Sequence, residues 1–281
     1  MTFLFKLTYI ALVVLVLVGL TLHYFQAAND ESLEAAPLTT YLRAWVGEPF
    51  AIALTLILVP VSWLSRVLQQ TSGGSGAGTP VVVISTSLWG SPAPCMFLQW
   101  VLWRNGLTNV HAIALPHSRG SLDKVAAHLV TLLKQLMPPT DQRPLHIVAH
   151  GSAGLVLRYA LEHPELPKLG RVVTLGCPHQ GSMSAVFFSP QTSLLLRPQS
   201  AFLNALPEVP SGWFSIYSDV DPLIIPAQSA NWGTGSERVE GLGHFQLPLS
   251  SKVCQMVAEH LISRERTPSS TETLEDSSRF A

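Results

Sequence analysis

The sequence has 281 residues, a formal net charge of −1, 47% hydrophobic residues and only 12% charged residues. The length allows one or two domains, and the charge balance gives no sign of a nucleic-acid partner. Charged residues are well below the share of an ordinary soluble domain. The apolar excess therefore needs a location outside a soluble core, and the N-terminal part of the chain supplies it.

Two apolar stretches near the N-terminus are candidates for membrane helices. The first, about residues 7–25, is long enough to cross a bilayer. A cleaved signal peptide is its alternative, but the stretch is long for one and the cleavage pattern is poor. The second, about residues 49–68, contains Pro60, Ser62 and Arg66. Its alternative is an amphipathic helix on the membrane surface or packed on the soluble domain, because its apolar core is short for a span.

The charges around these stretches predict an orientation. The segment between them is acidic, whereas Lys6 precedes the first stretch and Arg66 ends the second. If both stretches cross the membrane, the positive-inside rule places both outer flanks in the cytoplasm. The rest of the chain is then expected to be cytoplasmic.

Polar stretches bound the soluble domain on both sides. Residues 69–79 (QQTSGGSGAGT) are typical of a flexible Gly/Ser linker. Residues 264–281 are rich in Ser, Thr and Glu and are typical of a disordered tail. We therefore expect a membrane anchor over residues 1–68 and one soluble domain over residues 80–263.

Within that domain, short apolar segments alternate with segments of helical periodicity. The apolar segments predict strands at residues 80–85, 110–115, 145–149, 171–175 and 213–217. The periodic segments predict helices at about residues 95–103, 121–136, 153–162 and 252–262. This alternation predicts an α/β fold with a doubly wound, mostly parallel sheet. Ligands of such sheets bind at the C-terminal ends of the strands.

Residues 149–154 (AHGSAG) follow one predicted strand and open a predicted helix. That is the shape of a nucleophile elbow, in which a tight turn presents a reactive side chain. Such a turn needs small residues two positions to either side of its apex. Gly151 at the apex has alanines there, whereas Ser152 at the apex would have His150 on one side. We therefore expect Gly151 at the apex and Ser152 as an ordinary helix-capping residue.

Three segments form recognisable motifs: AHGSAGLVLR at residues 149–158, VVTLGCPHQGS at 172–182 and RGSLD at 119–123. They resemble segments of the bacterial triacylglycerol lipase and esterase branch of the α/β-hydrolases, particularly its membrane-anchored proteobacterial members. The first matches that family's elbow without gaps, with Gly151 in the nucleophile's place. The resemblance covers about residues 80–261 and implies an α/β-hydrolase fold, an acyl ester or lipid ligand, and a place at the bacterial inner membrane.

The same resemblance implies roles for particular residues. Asp221, in the segment SDVDPLIIP, is similar to the family's catalytic aspartate, and Asp219 is the spare candidate. His244, on a Gly-flanked loop before the last helix, is similar to the catalytic histidine. The backbone N–H groups of Leu88 and Ser152 would form the oxyanion hole. The order of nucleophile site, Asp and His along the chain is that of the α/β-hydrolases.

Two departures from the family pattern leave three interpretations open. Gly151 replaces the nucleophile, and residues 86–87 are Thr-Ser where the family has His-Gly. In the first interpretation the elbow is shifted and Ser152 is the nucleophile. In the second, the acid and base activate water directly. In the third, the protein is catalytically inactive and serves as a lipid-binding, acyl-binding or protein-interaction module at the membrane.

The remaining candidate residues are interpreted structurally. His150 and His179 are expected beside the pocket or holding turns. The three cysteines are widely spaced and form neither a disulfide framework nor a metal-ligand cluster, so buried small hydrophobes are expected. Residues 186–210 are expected to cover the pocket, with exposed leucines at 194–196. Neither a metal nor an organic cofactor is indicated.

Overall fold

A computed structural model describes Thr21, Tyr24 and residues 37–72, 78–87, 91–116, 122–137 and 140–263. Several predicted features lie outside these residues. They are the first apolar stretch apart from Thr21 and Tyr24, linker residues 73–77, motif residues 119–121 and tail residues 264–281.

The described part of the chain alternates strands and helices after one long N-terminal helix. The helices are α1 (Leu38–Ser72), α2 (Met96–Arg104), α3 (Leu122–Leu136), α4 (Ala153–Ala160), α5 (Pro190–Leu196), α6 (Ala201–Ala205) and α7 (Ser251–Ile262). The strands are β1 (Val81–Ser87), β2 (Val110–Pro116), β3 (Leu145–His150), β4 (Leu169–Leu175), β5 (Trp213–Ser218) and β6 (Gly235–Val239).

The strands form one sheet in the order β2-β1-β3-β4-β5-β6, and every neighbouring pair is parallel. The predicted parallel α/β sheet is therefore confirmed. Strand β6 was not predicted, because its residues GSERV lack an apolar run. It lies at the edge of the sheet, where only Val239 is buried, so this strand does not need the apolar pattern of a central strand.

The core lies on both faces of the sheet. Val82 and Ile84 of β1 pack with α3 and α4 on one face, whereas Val81 and Val83 pack with α2 and α7 on the other. Successive side chains of a strand point to opposite faces, so a strand covered on both sides reads as a continuous apolar run. The cysteines are buried free thiols, as expected: Cys95, Cys177 and Cys254.

Helix α1 differs from its prediction at both ends. It begins at Leu38 rather than near residue 49, and it continues through Ser72 into the predicted linker. The first glycine of that linker is residue 73, and the Gln, Thr and Ser residues before it extend the helix. Within the described residues, Leu38–Leu64 is the one stretch long and apolar enough to cross a membrane, and it contains an 18-residue window with a mean hydropathy of 1.8.

Helix α1 is packed on the soluble domain, which is one of the alternatives that the sequence left open. Ala44 contacts Val220, and the amide of Gln246 donates a hydrogen bond to the Ala44 carbonyl at 2.6 Å. At the other end, the hydroxyls of Ser62 and Ser91 are 2.7 Å apart. These partners lie in loops after β5, β6 and β1, so α1 runs across the carboxyl edge of the sheet.

Candidate active site

The turn after β3 is built around a glycine. Gly151 lies between the end of β3 and the start of α4, and its φ is +61°. Its N–H donates to the carbonyl of Leu175 at 2.9 Å. Glycine adopts this left-handed conformation without steric cost. Ala149 and Ala153, two positions to either side, are fully buried. The structure therefore places Gly151 at the apex of the turn.

Asp221 and His244 meet at the same edge of the sheet. Asp221 follows β5 and His244 follows β6, so parallel pairing of these strands brings their loops together. His244 Nδ1 lies 2.8 Å from Asp221 Oδ2. The other carboxylate oxygen of Asp221 accepts the N–H of Leu223 at 2.8 Å. Both side chains are buried, so the carboxylate fixes the orientation of the imidazole in a water-poor site.

The surroundings of His244 favour its charged form. Burial opposes protonation of the imidazole, but the negative charge and hydrogen bond of Asp221, together with the charge of Glu48, outweigh it and raise the pKa of His244. His150 has the opposite environment. Burial, and then the nearby positive charge of His244, lower the pKa of His150 to about 3. His150 is therefore neutral near pH 7, and its Nε2–H donates to the His244 carbonyl at 3.1 Å.

The free nitrogen of His244 faces the apex glycine. A Cβ built on Gly151 would lie 3.0 Å from His244 Nε2 and 3.5 Å from Cε1. A reactive side chain at residue 151 would thus contact the imidazole directly. The Asp221–His244 pair therefore faces the apex of the turn, and the apex carries no side chain.

The hydroxyl of Ser152 is hydrogen-bonded to Thr86 rather than to this pair. It occupies the N-cap position of α4, but its side chain accepts no capping hydrogen bond, so the expected capping role is wrong. Its backbone is helical (φ −65°, ψ −9°), whereas a capping residue has an extended backbone that aims its oxygen at the helix N–H groups. Instead, Ser152 Oγ lies 3.0 Å from Thr86 Oγ1. Among the described residues, no hydrogen bond joins Ser152 to His244.

The structure describes two of the remaining candidate residues, Asp219 and His179, and neither contacts the Asp221–His244 pair through a hydrogen bond among the described residues. Leu88, the expected second oxyanion donor, is outside the described residues. Asp219, the spare acid, accepts the N–H of Gly241 at 3.0 Å and holds the neighbouring loop. His179 pairs with the hydroxyl of Thr174 at 3.2 Å, which is a structural role.

Sequence reasoning did not identify Glu48 as part of the site. This residue of α1 is 8% exposed, and its two carboxylate oxygens lie 3.0 and 3.2 Å from the backbone N of Phe245, which donates to them. Glu48 therefore binds the loop that carries His244. A signal was present in the sequence: Glu48 is the one acid in an apolar helical stretch, and polar residues follow it at intervals of seven.

A cavity of about 500 Å³ opens beside the Asp–His pair. Its polar end is formed by Thr86, His150, Ser152 and His244. Its remaining wall is mainly apolar, with residues from α1, from α5 and from the loop after β5. Phe188, Thr192 and Leu196 belong to the segment that was expected to cover the pocket, and they line it.

Comparisons with known proteins find structural likeness only. No protein-family model matches the chain, and no curated protein matches it either. Lipase B of Aspergillus fumigatus is 12% identical, with a TM-score of 0.46 over 60% of this chain and 46% of that protein. This chain therefore spans about half the length of that lipase.

Two further solved structures match most of their own length. The mature lipase BlEst2 of Bacillus licheniformis is 16% identical, with a TM-score of 0.48 over 66% of this chain and 94% of that protein. A bromoperoxidase of Bacillus anthracis is 12% identical, with a TM-score of 0.45 over 66% and 93% of the two chains. Independently of these likenesses, the parallel sheet with helices on both faces, the tight turn between β3 and α4, and the order of that turn, Asp221 and His244 along the chain are those of an α/β-hydrolase fold.

Proposed function

We propose that this α/β-hydrolase-fold protein of the lipase and esterase type binds an acyl ester or lipid at a membrane without forming an acyl-enzyme. The observation that carries the proposal is the glycine apex. His244 Nε2 faces Gly151 at a distance where a reactive side chain would stand, and glycine has none.

The cavity supports an acyl ligand. Its volume of about 500 Å³ lies within the usual range of small-molecule sites. Ile52, Leu56 and Val59 form part of an apolar wall suited to a hydrocarbon chain. The hydroxyl of Thr55 is buried in that wall and has no hydrogen-bond partner among the described residues. An ester or headgroup oxygen would satisfy it, because a buried hydroxyl without a partner costs free energy.

The absence of an acyl-enzyme follows from what covalent catalysis requires. A nucleophile must lie within hydrogen-bond reach of its base. Ser152, the nearest hydroxyl in sequence, pairs with Thr86 instead. The acid and base would then serve as polar groups that orient the ligand's carbonyl end.

The membrane part of the proposal rests on α1, because only 17% of the residues in its most apolar 18-residue window are buried. The bacterial inner membrane comes from the family resemblance. Placement of the domain in the cytoplasm depends on both apolar stretches crossing the membrane, as the charge asymmetry of the sequence predicts.

The test uses the full-length protein in mild detergent. We expect saturable binding of a fluorescent fatty-acyl probe, no labelling by a serine-reactive fluorophosphonate, and no burst of p-nitrophenyl ester hydrolysis. Labelling of the wild type that disappears in Ser152→Ala would contradict the proposal and identify a shifted elbow.

A second candidate is slow hydrolysis by directly activated water. It is favoured by the intact contact between His244 and Asp221 at 2.8 Å, which keeps a general base aimed at the apex. Sites lacking one triad member retain weak catalysis. This candidate predicts slow turnover that is lost in His244→Ala but retained in Ser152→Ala, with no fluorophosphonate labelling of any variant.

A further inference from the structure

Helix α1 places a row of four polar residues against the domain. Tyr41, Glu48, Thr55 and Ser62 follow one another at intervals of seven, which is close to two helical turns. Tyr41, Glu48 and Ser62 are at most 8% exposed, and the hydroxyl of Thr55 is buried. A surface helix of a soluble protein has the reverse arrangement, with its polar face in water.

The outward face of α1 is apolar throughout its second half. From residue 49 to residue 64, every exposed residue is apolar, and Phe50 and Ile57 are 71% and 70% exposed. Protein interfaces have polar, solvent-accessible rims, whereas lipid requires the side chains facing it to be apolar. The distribution on α1 therefore favours a bilayer over a soluble partner.

Docking of α1 conflicts with an upright crossing of the membrane. The contacts of Ala44 with Gln246 and of Ser62 with Ser91 are separated by about 27 Å, at about 1.5 Å of rise per residue. The hydrocarbon core is about 30 Å thick. If the docked helix stood upright, the loops at the carboxyl edge of the sheet would lie at hydrocarbon depth, including the carboxylate of Asp221. Burying ionisable groups at that depth is costly, so the docked helix lies along the membrane.

A second group of exposed apolar side chains lies just before and within α5. Val186, Phe187 and Leu194 are 66%, 67% and 58% exposed. Their neighbours Phe188 and Leu196 line the cavity, and residues of α1 line it as well. Exposed apolar groups of both segments thus neighbour residues that line the cavity.

We propose that α1 lies flat in the interface of a phospholipid bilayer, and that the α1 face and the Val186–Leu195 segment together form a membrane-contact surface. The cavity opens onto lipid between them, and acyl chains enter it sideways from the bilayer. This proposal rests on the proposed function only for the identity of the ligand. If α1 lies flat, the second predicted stretch does not cross the membrane. The side of the membrane on which the domain lies then depends on residues 7–25.

The test measures membrane depth along α1. The full-length protein is reconstituted in vesicles of phosphatidylcholine and phosphatidylglycerol, with one spin label at a time on cysteines replacing Phe50, Leu54, Ile57, Val61 or Leu64. The native cysteines are buried, and burial raises the pKa of the Cys95 and Cys254 thiols to about 12, so they resist labelling. Accessibility to oxygen and to a water-soluble nickel complex then gives the depth of each label.

We expect all five labels at one shallow depth of about 5–10 Å, and labels at Val186 and Phe187 in lipid as well. The matched control is Ile262, which is 49% exposed at the end of α7. Arg171 near the start of β4 bonds to the neighbouring His260 carbonyl, which places this control at the opposite edge of the sheet. A label on Ile262→Cys is expected to remain aqueous.

Two outcomes would overturn the inference. A depth that is greatest near Ile57 and falls toward both ends indicates an upright crossing. Labels that are shielded from both reagents and show short spin–spin distances indicate that a second copy covers the face. Binding of the fluorescent acyl probe in detergent separates this test from the proposed function. Retained binding with an upright α1 would contradict only the membrane geometry. A flat α1 without binding would contradict only the proposed ligand.

Discussion

His244 Nε2 stands 3.0 Å from the point at which Gly151 would carry a Cβ. The imidazole nitrogen of His244 therefore faces a residue that offers it no oxygen. The left-handed backbone of Gly151 and the small residues around it preserve the turn that would present such an oxygen. Among the described residues, the turn, Asp221 and His244 are arranged around residue 151, and Gly151 supplies no hydroxyl.

We expect Gly151→Ser to gain fluorophosphonate labelling. Its Cβ fits if the imidazole retreats by a few tenths of an ångström, and its hydroxyl then comes within hydrogen-bond reach of Nε2. Gly151→Ala is the matched control, because it carries the same backbone strain of about 1–2 kcal/mol without a nucleophile. Labelling of both variants, or of neither when both are folded by circular dichroism, would contradict the assigned apex.

Asp221→Asn is expected to lower the pKa of His244. Burial already opposes the imidazolium, and the charge of Asp221 is the main influence that outweighs it. Without that charge the pKa should fall below the ordinary histidine value of about 6.5. NMR titration of the His244 ring measures the change. Asp219→Asn is the control, since Asp219 bonds to Gly241 rather than to His244, and an equal shift there would exclude a specific role for Asp221.

Much of the fold was predictable because its signals are local. The apolar run of β1 reflects burial on two faces, and the turn at Gly151 follows from the small residues beside it. Asp221 and His244 come together because each follows a strand, and parallel neighbours end at one edge. The strand and the turn need only local sequence patterns. Asp221 and His244 were instead identified through the family resemblance, because β6 has no apolar run that predicts it.

The remaining features depend on contacts between distant parts of the chain. Ser152 leaves its capping role for a hydroxyl that lies 66 residues away in sequence, Thr86. Glu48 reaches Phe245 across 197 residues, and no periodicity of either segment indicates which loop α1 covers. Local propensity leaves such tertiary pairings undetermined.

Gly176→Ala is expected to disturb the Asp221–His244 pair by placing a methyl group against Asp221. Gly176 has a φ of +52°, and an added Cβ would lie 2.9 Å from Leu247 Cδ1 and 3.0 Å from Asp221 Oδ2. We expect a loss of about 2–4 kcal/mol in the free energy of unfolding, from backbone strain together with overpacking. Gly106→Ala is the control, because its φ is +90° but no atom lies within 4 Å of the new Cβ. Equal losses would show that strain alone acts at residue 176.

Acidification is expected to destabilise the fold through two buried histidines. Burial lowers the pKa of His150 and of His179 to about 3. In the unfolded chain the ordinary value is about 6.5. Below that pH the unfolded chain binds protons that the folded chain excludes, so stability falls by about 1.4 kcal/mol per histidine per pH unit until about pH 3. At about pH 5 the two residues together remove about 4 kcal/mol.

Protonation of His244 has the opposite effect on the free energy of unfolding from protonation of His150 and His179. Its raised pKa means that it stabilises the folded state fully below the unfolded value and loses this effect as the pH rises through its folded value. Urea unfolding in mild detergent at about pH 7 and about pH 5 measures the pH dependence of the whole chain, and the difference between a variant and the wild type isolates one histidine. In His179→Gln the fall in the free energy of unfolding between these two pH values should be smaller by about 2 kcal/mol. The reason is that glutamine binds no proton in the unfolded chain. An unchanged pH dependence in this variant would mean that His179 accepts a proton in the folded state.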